Sequence, residues 1–199
     1  MSKKRLTREE SKQQTRRELL EVASEMFAKQ GFYSTSVDQI AEEAGYSKGA
    51  IYSNFGSKDD LFLSVFKENQ KEDLQNLEAI AEEYNSLDEF INMIENNHQY
   101  ERKENEDWSI LKLEFLLYAM RDDSVSKKLA PILEESRSQM INILKKFYQT
   151  KDQKQLVSID KLAFLLLSLD IGIGIQSYVD EESIPENVFA EGLRLLLKA

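Results

Sequence analysis

No cysteine occurs anywhere in the chain, so disulfides, thiolate chemistry and CxxC metal sites are excluded. Histidine occurs once and tryptophan once. With a single imidazole, and with no Ser-His-Asp, metal or phosphate-loop constellation at recognisable spacing, the sequence argues against an enzyme and assigns no cofactor and no metal. Two prolines and seven glycines interrupt 199 residues, which leaves long stretches free to be helical. Strand-like alternation, internal repeats and low-complexity tracts are all missing. No apolar run of roughly 7 to 15 residues follows the basic start, so no signal peptide is expected. No later run is read as reaching about 18 apolar residues, so no membrane span is expected either. An all-α, cytoplasmic protein is the expectation these absences leave.

What is present points first to residues 37–58, VDQIAEEAGYSKGAIYSNFGSK. Val37, Ile40, Ala41 and Ala44 fall at i, i+3, i+4 and i+7, so a helix through them has one apolar stripe to bury. Ser36 and Gln39 form an S-x-x-Q capping box, which starts that helix near Val37. Gly45 follows Ala44, where helices commonly close through a left-handed residue that glycine adopts without a Cβ clash. Ser47 then caps a second helix of about two turns, with Ile51 and Phe55 inward and Lys48 and Tyr52 together on another face. Gly49 and Ala50 are small enough to let this helix approach a groove closely. Two short helices around a glycine turn, the second polar and donor-rich, form a helix-turn-helix and point to DNA.

Leu19, Val22, Ala23, Met26 and Phe27 repeat the helical stripe upstream, and Gly31 ends that helix. Downstream, Ser57 and Asp60 start another, in which Leu61, Phe62 and Val65 are apolar. The expected shared core is Phe27, Phe32, Ile40, Ile51, Phe55 and Leu61. About 60 residues bury only a modest core, so this unit is expected to lean on the helices downstream of it.

From about Arg16 to Leu63 the chain resembles the TetR/AcrR family of bacterial transcriptional regulators. The resemblance rests on the ending AxxxFxxxGFxxTSV (Ala23, Phe27, Gly31, Phe32, Thr35, Ser36, Val37) and on the ungapped run IAxxAGxSKGAIYxxFxSKxxL from Ile40 to Leu61. It implies that Thr35 and Ser36 touch phosphate ahead of the first short helix. It also implies that Ser47, Lys48, Gly49 and Tyr52 lie at the groove and that Lys58 meets the backbone at the start of the next helix. Hydroxyls, lysines and helix N-termini are the groups that hold phosphate oxygens. The family often carries His or another ring where this chain has Ser53 and Asn54. Asn54 either reads adenine bidentately or contacts phosphate or water.

A formal charge of −10 sits oddly with DNA binding, which draws most of its affinity from Lys and Arg on phosphate. The distribution resolves this. Residues 1–58 hold ten Lys or Arg against eight Asp or Glu, a balance of +2, which leaves 16 against 28, or −12, for the other 141 residues. Residues 1–17 alone carry seven positive and two negative charges. That arm is expected to stay unstructured until a helix begins between Glu10 and Thr15, and it either reaches a minor groove or the backbone or is a solvated tail.

The expected division is a DNA-binding domain over 1–57 and a larger helical domain over 58–199. Helices are expected near 58–84, 87–102, 106–121, 124–149, 156–179 and 185–198, with Ser86 and Glu89 capping the second of these. Residues 101–107 and 150–155 read as polar connections. Pro185 suits a first helical turn, and Pro131 predicts a kink or break around Lys127 to Ala130. The stretches Leu111–Met120 and Leu162–Val179 are apolar around most of their circumference and must be covered on all sides. Neighbouring helices of the domain are the expected cover for the first. A partner subunit is expected to cover the second, together with Phe189, Leu193, Leu196 and Leu197 of the last helix. Gly172 and Gly174 cost about 1 kcal/mol each in a helix interior, so close packing is expected there. The resemblance implies a C2 homodimer through the helices near 156–179 and 185–198, presenting two recognition helices to a palindrome.

The resemblance also implies a small-molecule effector bound among the middle helices of the larger domain. Candidate lining residues are Met93, Ile94, His98, Trp108, Leu111, Phe115, Tyr118 and Met120; aromatic and Met residues at helical spacing are more often plain core, and His98 also reads as a surface or helix-end residue. Glu114 and Asp170 interrupt apolar runs, and a buried carboxylate needs a partner. Each is expected either at the pocket or dimer seam, or in an internal ion pair with Lys112, Arg121, Arg137 or Arg194. The leading expectation is a ligand-responsive repressor that binds a palindromic operator. The alternatives are an activator of the same family, a helical interaction module without DNA binding and, more remotely, a small helical enzyme.

Overall fold

A computed structural model describes residues 7–94, 106–147, 157–180, 183–185 and 187–198. Among them the only regular elements are helices. These are α1 (Arg8–Gln30), α2 (Val37–Glu43), α3 (Lys48–Phe55), α4 (Lys58–Glu83), α5 (helical over 87–94), α6 (Glu106–Ala119), α7 (Asp123–Phe147), α8 (Ile159–Val179) and α9 (Val188–Lys198). The all-α expectation holds.

Most helix starts are set by local chemistry. Ser36 and Gln39 form the expected capping box, the Ser57 hydroxyl accepts the Asp60 N–H at 3.0 Å, and Ser86 accepts that of Glu89 at 3.2 Å. Two boundaries differ from expectation. α1 begins at Arg8 rather than between Glu10 and Thr15, because Thr7 and Glu10 make a capping box of their own. α9 begins at Val188, with Pro185 ahead of it, its carbonyl accepting the Val188 N–H at 3.1 Å. α7 is also unbroken through Pro131. Lys127 and Pro131 share an exposed face, so water can take the carbonyl that proline leaves without a donor. Residues 1–6 of the basic arm, His98 and most of the connections at 101–107 and 150–155 lie outside the described residues.

The chain packs as two units, Met1–Asn69 with Asp107–Leu129, and Gln70–Glu106 with Ala130–Ala199. The first holds α1 to α3, the start of α4, α6 and the start of α7. Every residue of the expected small core, Phe27, Phe32, Ile40, Ile51, Phe55 and Leu61, is buried there. This core does lean on later sequence. Phe115 of α6 stacks on Phe62 with ring centroids 4.1 Å apart and meets Phe32 edge-on at 5.3 Å. Leu111 is buried beside it on α6. The cover of α6 is nevertheless one-sided, since Ile110, Leu117 and Met120 are exposed.

The second unit has two apolar clusters. One gathers Ile91, Leu144, Leu162, Ala163, Leu166, Ala190 and Leu193. The other gathers Leu74, Ala81, Phe90 and Ile143, with Phe90 stacked on Phe147 at 5.0 Å. α8 buries Leu162, Ala163, Leu166 and Ile173 but exposes Phe164, Ile171, Ile175 and Val179. By length and composition α8 is apolar enough to cross a bilayer, which corrects the expectation that no such stretch exists. Ser168, Asp170, Gly172 and Gly174 had masked the run. Close packing on glycine is also found elsewhere than expected. Beyond its own helix backbone, a Cβ on Gly172 or Gly174 would meet nothing within 4 Å among the described residues, whereas one on Gly192 of α9 would meet Leu169 Cδ2 at 2.8 Å.

Candidate nucleic-acid interface

The region most suited to a ligand surface is α2, the turn after it and α3. Val37, Ile40 and Ala41 bury one side of α2. The chain then turns through Gly45, whose φ of 71° is the left-handed conformation glycine adopts freely. Tyr46 closes the turn twice. Its N–H donates to the Ala41 carbonyl at 2.8 Å, and its hydroxyl donates to the Glu18 carboxylate of α1. Hydrogen bonds from Tyr46 and then Gln14 hold the Glu18 carboxyl below its usual pKa. Ser47 caps α3 by accepting the Ala50 N–H at 3.2 Å.

α3 is fixed from behind. Ile51 and Phe55 are buried. The Arg16 guanidinium lies 4.2 Å from the Phe55 ring centroid and donates to the Asn54 carbonyl at 2.7 Å and to Ser64 Oγ at 3.2 Å. Sequence reasoning treated Arg16 only as one charge of the basic arm. Its proximity to α3 and α4 exists only in three dimensions. The outward side of α3 carries Ser47, Lys48, Gly49, Tyr52 and Ser53, all exposed. A Cβ on Gly49 would meet only Ser47 Oγ, at an ordinary 3.6 Å, so the fold itself does not require glycine there. Lys48 Nζ sits 2.8 Å from Asp38 Oδ2.

Two residues expected at DNA spend their polar groups inside the protein. Thr35 is 1% exposed, and its hydroxyl donates to the Gly31 carbonyl at 2.8 Å, so it serves the α1–α2 turn and not a phosphate. Asn54 is half-buried and donates through Nδ2 to the Ala50 carbonyl at 2.8 Å, which leaves no side chain reaching for adenine. Its Oδ1 is buried without a hydrogen-bond partner among the described residues. Ser36 is exposed, but its hydroxyl proton goes to Gln39 Oε1 at 2.8 Å.

Lys58, at the first position of α4, is half-buried with Nζ 4.3 Å from the Phe32 ring centroid. Burial lowers its pKa, against the opposing charges of Asp59 and Glu114. Glu114 corrects a sequence expectation. Rather than pairing with Lys112, Arg121, Arg137 or Arg194, it accepts the Phe32 N–H through Oε2 at 3.0 Å. A Cβ on Gly31 would come within 3.1 Å of that oxygen. The α1–α2 turn therefore receives a carboxylate from α6. Tyr118, also on α6, stacks on Phe32 at 5.4 Å and donates to Asp59 at 3.4 Å.

The other effector candidates are dispersed between the two units. Leu111 and Phe115 are buried in the aromatic core of the first unit. Trp108 stacks on Phe62 at 6.5 Å, and its buried indole N–H has no hydrogen-bond partner among the described residues. Met93 and Ile94 pack on the second cluster of the other unit. Asp170 is exposed on α8, so the argument from a buried carboxylate does not apply to it.

Residues 19–65 match the family model for bacterial regulatory proteins of the tetR family. Across 191 residues the chain is 25% identical to the uncharacterised HTH-type transcriptional regulator YfiR of Bacillus subtilis (strain 168), covering 95% of this chain and 93% of YfiR. It is 31% identical over 100 residues to the HTH-type transcriptional repressor AcnR of Corynebacterium glutamicum, a match covering 50% of this chain and 48% of AcnR. The crystal structure of FadR from Bacillus subtilis in complex with stearoyl-CoA has the same fold, with a TM-score of 0.69 at 19% identity, covering 92% of this chain and 97% of that one. On its helix-turn-helix and on these matches, the chain is similar to the TetR/AcrR family of bacterial transcriptional regulators, most directly over residues 19–65.

Proposed function

We propose that this regulator is a cytoplasmic repressor that binds a palindromic DNA operator as a homodimer and is released by a small-molecule effector. The observation that carries the reading is α3, whose Ile51 and Phe55 are buried while Ser47, Lys48, Gly49 and Tyr52 are exposed together on its outward side. Ser47, Lys48, Gly49 and Tyr52 meet the groove, and Ser36 and Lys58 approach the backbone. Residues 1–57 act as the DNA-binding domain and 58–199 as the effector and dimer domain. Repression is favoured over activation by the likeness to AcnR, a repressor.

The dimer forms through α8 and α9. Support comes from the exposed stripe of Phe164, Ile171, Ile175 and Val179 on α8, with exposed Leu195 on α9. A second copy covering that stripe would also explain two helix-interior glycines, Gly172 and Gly174, at which an added Cβ would meet, beyond the helix's own backbone, no atom of the described residues within 4 Å. For the effector, support comes from the buried indole N–H of Trp108, which has no partner among the described residues and suits a ligand carrying a hydrogen-bond acceptor, and from FadR, a protein of this fold solved with stearoyl-CoA. Leu111, Glu114, Phe115 and Tyr118 of the same helix as Trp108 complete the candidate set.

The test is titration of the purified protein with a duplex recovered from a random pool, at several salt concentrations. Affinity should fall steeply with salt. Lys48→Ala should lose selectivity, and Lys58→Ala should weaken all duplexes and reduce the salt slope by about 1. Unchanged selectivity in Lys48→Ala would remove α3 as the recognition helix.

A further inference from the structure

The ammonium on the recognition helix already has a partner in the free protein. Lys48 Nζ donates to Oδ2 of Asp38 at 2.8 Å, across the turn that joins α2 to α3. Asp38 stands in the first turn of α2, which is anchored by the Ser36–Gln39 capping box, so the carboxylate has a fixed origin. Both side chains are open to water, at 50% and 66% of full exposure. The packing of α2 on α3 does not need this tie, because Val37, Ile40, Ala41 and Ile51 are already buried, and an exposed ion pair adds little stability. The hydrogen bond that Lys48 donates to Asp38, and then the Asp38 charge, raise the Lys48 pKa, so the ammonium keeps its proton.

Taking the DNA-binding reading above as its basis, we propose that Asp38 is a specificity-determining residue, a carboxylate occupying the place on Lys48 that a backbone phosphate would otherwise take. A lysine ammonium has three donors, and Asp38 uses one of them. A backbone phosphate approaching the other two brings a full negative charge, shared by its two free oxygens, and meets the Asp38 carboxylate beside its target. Guanine O6 and N7 are neutral acceptors and meet far less repulsion. Binding to an arbitrary duplex is almost wholly phosphate attraction, so the carboxylate weakens it more than it weakens binding to the right bases. Lys48 is thereby kept for base edges.

Asp38→Asn, which keeps the side chain's shape and an acceptor, tests this with two probes: an operator duplex selected from a random pool by the wild-type protein, and a scrambled duplex of equal length. The variant should bind the scrambled duplex about two- to fivefold tighter at low salt, with a salt slope steeper by about 0.9. Operator binding should gain less, so discrimination falls. In a Lys48→Ala background most of the gain should disappear, and Asp38→Ser should reproduce the effect. Unchanged scrambled-duplex affinity and slope in Asp38→Asn would overturn the inference, as would equal weakening on both duplexes, which would make Asp38 a brace for Lys48. A wild-type protein that binds no duplex even at low salt would instead remove the DNA-binding reading on which the inference rests.

Discussion

Thr35 and Ser36 are adjacent, chemically alike and equally suited to phosphate in the sequence, yet they have opposite surroundings. Thr35 is buried with its hydroxyl on the Gly31 carbonyl, while Ser36 is exposed and caps α2. Thr35→Val should therefore act on stability and not on DNA. Loss of the hydrogen bond to Gly31 should cost about 1–2 kcal/mol in urea unfolding, with the salt slope of duplex binding left at the wild-type value. A slope lower by about 1 would instead return Thr35 to the phosphate contacts. Glu114 has the same lesson from the other direction. Its sequence neighbours suggested an ion pair within the larger domain, but its partner, the Phe32 N–H, is 82 residues away. No periodicity encodes a contact of that separation.

At the scale of elements, local chemistry set nearly every helix start, and errors arose where one signal hid another. The Thr7–Glu10 capping box was obscured by the run of positive charge around it, so α1 starts earlier than expected. Pro131 is accommodated inside α7 because its face is open to water. The turn between α2 and α3 was fully legible, since Gly45 alone among its residues has positive φ. Gly45→Ala provides the check. Nothing lies within 4 Å of the added Cβ, so only the left-handed backbone should be penalised, by about 1–2 kcal/mol. A thermal melt matching wild type would mean that the turn does not hold this conformation in solution.

For the whole molecule, the open question on the surface is what covers α8. Phe164, Ile171, Ile175 and Val179 lie on one exposed side of it, and a second copy of the chain is the proposed cover. Ile175 is 44% exposed in the single chain, so Ile175→Glu should leave the helical circular-dichroism spectrum intact while converting a dimer to a monomer in sedimentation. Operator affinity should then fall by about 10²-fold or more, because two linked half-site contacts become one. An Ile175→Glu protein that still sediments as a dimer would place the interface elsewhere.

The sequence by itself determined the all-helical class, the helix-turn-helix, the caps that start α2 and α3, and the apolar side on which each packs. All of these depend on residues within a turn or two of one another. Only the tertiary structure decided which hydroxyls and carboxylates face inward. It committed the Thr35 hydroxyl and the Asn54 amide to backbone carbonyls of the chain itself, brought Arg16 behind α3, and set Glu114 and Tyr118 of α6 against the α1–α2 turn. The physical reason is that burial and hydrogen-bond partnership at these positions depend on segments distant in the chain, and spacing along the sequence carries no record of where those segments meet.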